Sequence, residues 1–165
     1  MRIRNLIATL LVNVSLGTAS AGAHAAPTLA FTDQDSEAVR TVFLRQAAAA
    51  TSHDIVAFEN VLADAPPGAP DPVAMVARAY QFWGKPALIA HFKETFKGVW
   101  KFEPDPTRIK IVPLTADVAQ IYAPTQVTFG ASEAVTKTAP FLMYEVAVRT
   151  PDGWRIAAIV PVPAQ

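Results

Sequence analysis

The sequence predicts an α+β domain in which helices precede a largely antiparallel sheet. Three observations carry this expectation. Helical periodicity is confined to the chain before Gly98, alternating apolar stretches joined by short turns follow it, and the chain closes on a hairpin around Thr150-Pro151-Asp152-Gly153. In that hairpin Pro suits the φ of about −65° of a type I turn, and Gly suits the left-handed residue that follows, the pattern of a three-residue loop. This register sets Thr150 opposite Trp154, Val148 opposite Ile156, Val146 opposite Ala158 and Tyr144 opposite Val160, all on one apolar face. The other face then carries Arg149, Ala147 and Glu145 against Arg155, Ala157 and Ile159. On this reading Arg149 and Arg155 are exposed cross-strand neighbours and Glu145 belongs to a surface ion pair. Ala147, Ala157 and Ile159 leave that face more apolar than a solvated one needs, which points to a homodimer through the sheet.

Taken in order, Phe31 to Ala50 reads as the first helix, with Thr32 or Asp33 as cap. Val39, Val42, Phe43, Ala47 and Ala50 form its apolar stripe, with Arg40 and Gln46 off it. Thr51-x-x-Asp54 is a second capping signal, opening a short helix with Ile55, Phe58, Val61 and Leu62 on one side. Residues 65–72 hold four prolines and a glycine, and form a stiff loop that either links or covers a cavity. Val73 to Ala77 and Gln81 to Gly84 read as paired short strands. Pro86 then opens a third helix with Leu88, Ile89, Phe92 and Phe96 on its buried side, ended by Gly98. Val99 to Phe102, Arg108 to Leu114 and Val118 to Phe129 are strands, with a turn at Ala116-Asp117 and a polar connection over Gly130 to Thr138.

The chain has 165 residues, 52% hydrophobic and 17% charged, which suits one domain with a real core and excludes disorder. Arg2 and Arg4, the apolar run Leu6 to Leu16 and Ala23-His24-Ala25 have the pattern of a signal peptide over residues 1–25, leaving residues 26–165 as a single domain. A bacterial periplasmic or secreted address follows, with no membrane association after cleavage. Without Arg2 and Arg4 the 14 basic residues become 12 against 14 acidic ones, which opposes a general nucleic-acid binder. There is no Cys, so no disulfide, lipid-anchored thiol or thiolate nucleophile.

Four motifs recur in a familiar order: Asp54, Trp83-Gly84-Lys85 with Ala87 and Ile89, Asp117-Val118-Ala119, and Asp152-Gly153-Trp154-Arg155-Ile156. With the element order, they make residues 33–163 resemble the NTF2-like superfamily, closest to the DUF4440 and SgcJ/EcaC-type group, relatives of SnoaL and ketosteroid isomerase. The resemblance implies a cone, a strongly bent antiparallel sheet wrapped around the N-terminal helices and enclosing one deep pocket. It does not imply one activity, because the superfamily includes isomerases, dehydratases, cyclases, hydrolases and non-enzymatic binders. Asp54 matches a position where some dehydratases and dehydrochlorinases of the superfamily carry an Asp that works with a His. Here Trp100 stands in the region of that His, and Phe43 stands on the first helix, where ketosteroid isomerase has a Tyr.

From the residues themselves, Asp54 is the tentative catalytic carboxylate, although its capping position already explains it. Phe43, Phe58, Trp83, Phe92, Trp100, Tyr122, Tyr144 and Trp154 are the stock for lining a pocket that takes a flat apolar molecule. His53 and His91 are too far apart to make a metal site, and no phosphate loop or serine elbow is present, so no cofactor is expected. Three functions stay open: binding a small apolar or aromatic molecule, a cofactor-independent isomerase or dehydratase, or a structural dimer with a filled pocket. Cleavage after Ala25 is the first testable outcome. The intact mass of the exported protein should begin at Ala26, and a mature chain retaining Met1 would refute it.

Overall fold

The computed structural model describes residues 30–78 and 80–164. The segment read as a signal peptide lies outside them. Helix α1 (Asp33–Thr51) starts at a capping box: Thr32 Oγ1 accepts from the Asp35 amide at 3.2 Å, and Asp35 Oδ2 accepts from the Thr32 amide at 2.9 Å. Its stripe of Val39, Val42, Phe43, Ala47 and Ala50 is buried as expected. Gln46 is buried too, contrary to the sequence reading. It follows Val39 by one heptad, so it lies within about 20° of the same direction on the helix. Helix α2 (Ile55–Asn60) begins at Asp54, whose carboxylate accepts from the Ala57 amide at 2.9 Å. Thr51 takes a different role. Its hydroxyl accepts from the Phe102 amide at 2.9 Å and donates to the Phe102 carbonyl at 3.1 Å, tying the end of α1 to the sheet.

Residues 65–72 form no regular element, and Asp71 folds them back by accepting from the amides of Val73 and Lys85. Strands β1 (Ala74–Ala77) and β2 (Tyr80–Trp83) form a hairpin, followed by α3 (Lys85–Thr95), with Leu88, Ile89 and Phe92 buried. The rest is β3 (Val99–Pro104), β4 (Lys110–Pro113), β5 (Val118–Ser132), β6 (Val135–Thr150) and β7 (Gly153–Pro163). The sheet order is β2-β1-β7-β6-β5-β3, with β4 also on β5. The β1–β7 pair is parallel and the other pairs are antiparallel. Strands β4 and β3 take successive halves of one edge of β5, opposite Ala119 to Tyr122 and Thr125 to Gly130. The curved sheet packs its inner face on α1, chiefly through β3 and β7.

Two expectations change. The polar connection over Gly130 to Thr138 is mostly strand, with β5 running to Ser132 and β6 starting at Val135. These residues are largely exposed, so a polar strand was read as a loop. The closing hairpin has a two-residue turn, not three: Thr150 pairs with Gly153 and Arg149 with Trp154. Thr150 Oγ1 supports it, accepting from the Asp152 amide at 3.2 Å and donating to the Gly153 carbonyl at 2.8 Å. A bulge between Val146 and Ala147 leaves Ala157 as the extra residue and restores the expected pairs Val146–Ala158 and Tyr144–Val160. The faces are consequently exchanged. Glu145, Ala147 and Ile159 are buried against the helices, whereas Tyr144, Val146, Val148 and Val160 point outward. Arg149 and Arg155 are not cross-strand partners, and Ala147, Ala157 and Ile159 offer no surface for a dimer.

On its inner side Arg149 reaches α1. Its Nη1 lies 2.8 Å from Asp35 Oδ1, its Nε donates to Asp117 Oδ1 at 3.0 Å, and its guanidinium stacks 4.8 Å from the Trp154 ring centre. The Trp154 indole N–H donates to the same Asp35 oxygen at 3.2 Å. Arg149, and after it Thr32, hold the Asp35 carboxyl far below its ordinary value of 3.8. Such a group stabilises the fold fully above its unfolded value and loses that contribution as pH falls through the folded one. Asp35→Asn should therefore lower the melting temperature at pH 7, with the gap to wild type shrinking progressively below about pH 4. Thermal melts across this range check it, and a gap that stays constant with pH would contradict the ion-pair account.

Candidate functional site

A cavity of about 1080 Å³ opens between the inner face of the sheet, the end of α1, Phe58 of α2 and the C-terminal half of α3. That volume lies just above the usual range of about 300–1,000 Å³ for small-molecule sites. Phe58, Phe92, Trp100, Phe129, Phe141 and Met143 give it apolar walls. Phe58 and Phe92 pack with ring centres 4.3 Å apart, and Trp100 meets Phe92 edge-on at 6.0 Å. The Trp100 indole nitrogen is buried without a hydrogen-bond partner among the described residues.

Glu145 and Gln46 also line this cavity, and both are buried, Glu145 to 0% exposure. Glu145 is presented by β6 between Ile159 and Ile121 on the flanking strands, and Gln46 comes down from α1. With the amide nitrogen turned toward Glu145, Gln46 donates to the two carboxylate oxygens at 2.7 and 3.2 Å. The opposite amide orientation suits a protonated Glu145, which then donates to the amide oxygen. No cation pairs with Glu145 among the described residues. Burial pushes its carboxyl well above 4.5, and Gln46 offsets this only in part. Burying an unpaired charge costs several kcal/mol, and a hydrogen bond to a charged group returns about 1.5–3 kcal/mol, so the neutral acid is the favoured form. A neutral carboxyl beside a carboxamide can donate to and accept from one ligand oxygen, and it can carry one proton.

The remaining polar groups line the cavity nearer its mouth. His91 is half-buried, with Phe82 stacked on it at 4.3 Å and Tyr80 at 5.9 Å, and burial lowers its pKa. The sequence reading left His91 in solvent. It is covered because the β1–β2 hairpin folds over α3. His53 stays outside, stacked on Phe96 at 5.0 Å with Nε2 3.1 Å from the Trp100 carbonyl. Among the described residues no cluster of His, Cys, Asp or Glu could hold a metal ion.

Of the eight aromatic residues anticipated for the pocket, Phe58, Phe92 and Trp100 line the cavity. Phe43 is fully buried against Phe102, and Trp154 sits under the start of α1 against Phe31 and Asp35. Trp83 is 67% exposed. Tyr122 and Tyr144 stand on the outer sheet face, bridged by Gln120, which accepts from Tyr122 and donates to Tyr144, both at 3.0 Å. Asp54 is exposed, caps α2 and does not line the cavity, so it is not the carboxylate of this site. Residues 65–72 do not line it either. The sequence reading missed Glu145 and Gln46. The signal was their phase: Gln46 one heptad after Val39, and Glu145 alternating with Met143 and Ala147.

No protein-family profile matches the chain, and no curated protein matches it in sequence. Solved structures do. The chain is similar to a candidate dehydratase of the NTF2-like family from Streptomyces avermitilis, at 15% identity over 80% of this chain and 97% of that one, with a TM-score of 0.67. It is similar to a ketosteroid isomerase-like protein from Erwinia carotovora atroseptica, at 16% identity over 81% and 99%, with a TM-score of 0.64. An NTF2-like protein of unknown function from Pseudomonas putida matches at 20% identity over 81% and 88%, with a TM-score of 0.61. The fold is therefore the NTF2-like cone expected from the motifs.

The state of Glu145 can be read from stability. A carboxyl raised in the native state binds its proton more tightly there than in the unfolded chain. Stability then falls as pH rises above about 4.5, by up to about 1.4 kcal/mol per pH unit. Glu145→Gln keeps the shape and removes the titration. The variant should match wild type near pH 4 and melt at a higher temperature at pH 8, and a lower melting temperature at pH 8 would refute a neutral, desolvated Glu145.

Proposed function

We propose that the chain is a binding module whose cavity takes a small, largely apolar molecule with its polar end on the Glu145–Gln46 pair. The observation that carries this is a fully buried carboxyl, without a cation among the described residues, retained beside the aromatic walls of the cavity. Packing alone would favour an apolar residue there, since an unpaired buried acid destabilises a fold. Groups kept against stability in a cleft mark functional sites. The walls supply contact area, and the acid–amide pair supplies orientation.

A second reading is favoured by one further observation, that His91 and Tyr80 line the same cavity as Glu145. A carboxyl of raised pKa with other proton-bearing groups nearby suits proton transfer on a bound carbonyl compound, an isomerase or dehydratase chemistry. In that case Glu145 takes the role that the sequence assigned to Asp54.

The neutral fluorophore N-phenyl-1-naphthylamine tests the binding reading. It should bind saturably with one site per chain. Trp100→Ala and Glu145→Ala should each weaken binding about tenfold, the equivalent of about 1.4 kcal/mol, whereas Tyr144→Phe on the outer face should leave it unchanged. Absence of saturable binding by titration fluorescence or calorimetry would overturn the proposal.

A further inference from the structure

We infer that the molecule this cavity takes is an anion: a carboxylate with an extended apolar body, held at its charged end by Arg78, with Lys137 farther along the cavity wall adding to the positive field. The inference rests on the binding reading above and specifies its ligand class. Besides Tyr80, six acidic or basic side chains line the cavity: Arg78, His91, Glu94, Lys97, Lys137 and Glu145. Glu94 and Lys97 neutralise each other in an ion pair of 2.6 Å. Burial disfavours the charged forms of both His91 and Glu145. Arg78 and Lys137 remain, and neither pairs with an acid among the described residues. The cavity thus carries two uncompensated positive charges, although residues 26–165 hold 12 basic against 14 acidic side chains. Apolar walls of low dielectric focus that field on whatever enters.

The strand ladder places both cations on the same side of the acid. Met75 pairs with Ile159, and Ile159 pairs with Glu145, so these three residues share one rung of the sheet. Arg78 follows Met75 by three residues, and Lys137 precedes Glu145 by eight; the parallel and antiparallel registers carry both toward the same end, with Lys137 about five residues beyond Arg78. Three residues of strand are about 10 Å, so a ligand touching Glu145 and meeting Arg78 needs an apolar body of about that length or more. Arg78 also holds a φ of 53° in the turn between the paired Ala77 and Tyr80, where Gly or Asn is the less strained choice. A cation is kept at that corner although the backbone favours another residue.

The test compares 11-(dansylamino)undecanoate with its uncharged primary amide on the full exported chain. The acid should bind about tenfold more tightly than the amide at low salt, and the preference should shrink in high salt. The double variant Arg78→Gln/Lys137→Gln should lose the preference by weakening the acid alone, with N-phenyl-1-naphthylamine binding unchanged as the check on folding. Equal affinities for acid and amide, or a preference that survives in the double variant, would overturn the inference while leaving the binding reading intact. Failure of the neutral fluorophore to bind would remove both.

Discussion

The contact between Asp35 and Arg149 fixes the helix on the sheet, and the rest of the site depends on where it fixes it. Gln46 lies eleven residues after Asp35 on α1, close to three full turns, so the two side chains leave the helix in nearly the same direction. Glu145 lies four residues before Arg149 on β6, on the same face of the strand. Eleven helical residues span about 16 Å and four strand residues about 14 Å, so the spacings match when helix and strand run in opposite senses. The helix and the strand are thus bridged by two polar rungs of similar spacing. One is charged, part-exposed and braced by Trp154. The other is buried, without a cation among the described residues, and faces the cavity. The first sets the register in which the second forms.

Much of the fold was legible because periodicity survives in the helices and the regular strands. The α1 stripe, the β1–β2 pair, the α3 face and the turn at Ala116-Asp117 all follow from local patterns that tertiary packing did not override. The site was less legible, for two physical reasons. Polar residues were read as outward-facing, although Gln46 and Glu145 sit in phase with apolar neighbours. The hairpin was given a three-residue loop because Pro-Asp-Gly suits one, whereas Thr150 stabilises a two-residue turn with its own hydroxyl. One residue of turn length moves Trp154 and Ile156 onto the face of Glu145 and Ala147, and so a core acid was taken for a surface acid and two outward tyrosines for pocket residues.

The aromatic residues show how composition alone misleads. Trp154 and Phe43 are large and buried, but they serve the packing of α1, through Arg149 and Phe102 respectively. Trp83 is large and exposed at the end of β2. Of the eight anticipated rings, the three whose elements converge near the end of α1 reach the void, and Tyr80, Phe102, Phe129 and Phe141 join them there. Convergence of backbone elements, not aromatic content, decides which rings a ligand would meet.

The extra residue in β7 has a consequence for how this segment can change over generations. Ala157 switches the parity of the strand, so Trp154 and Ile156 face inward before it and Ile159 faces inward after it. Removing Ala157 itself would leave a regular ladder with the same faces, whereas removing any other residue of β7 while the bulge stays would act like a frameshift in three dimensions. Every side chain on one side of such a gap would change face, so that Ile159 would turn out to solvent and Ala158 and Val160 in against the helices. Substitutions along β7 perturb one position each, but a change in its length outside the bulge rewrites a whole face. The strand is therefore free to drift in composition and closely held in length, and so is its partner β6, which carries both polar rungs.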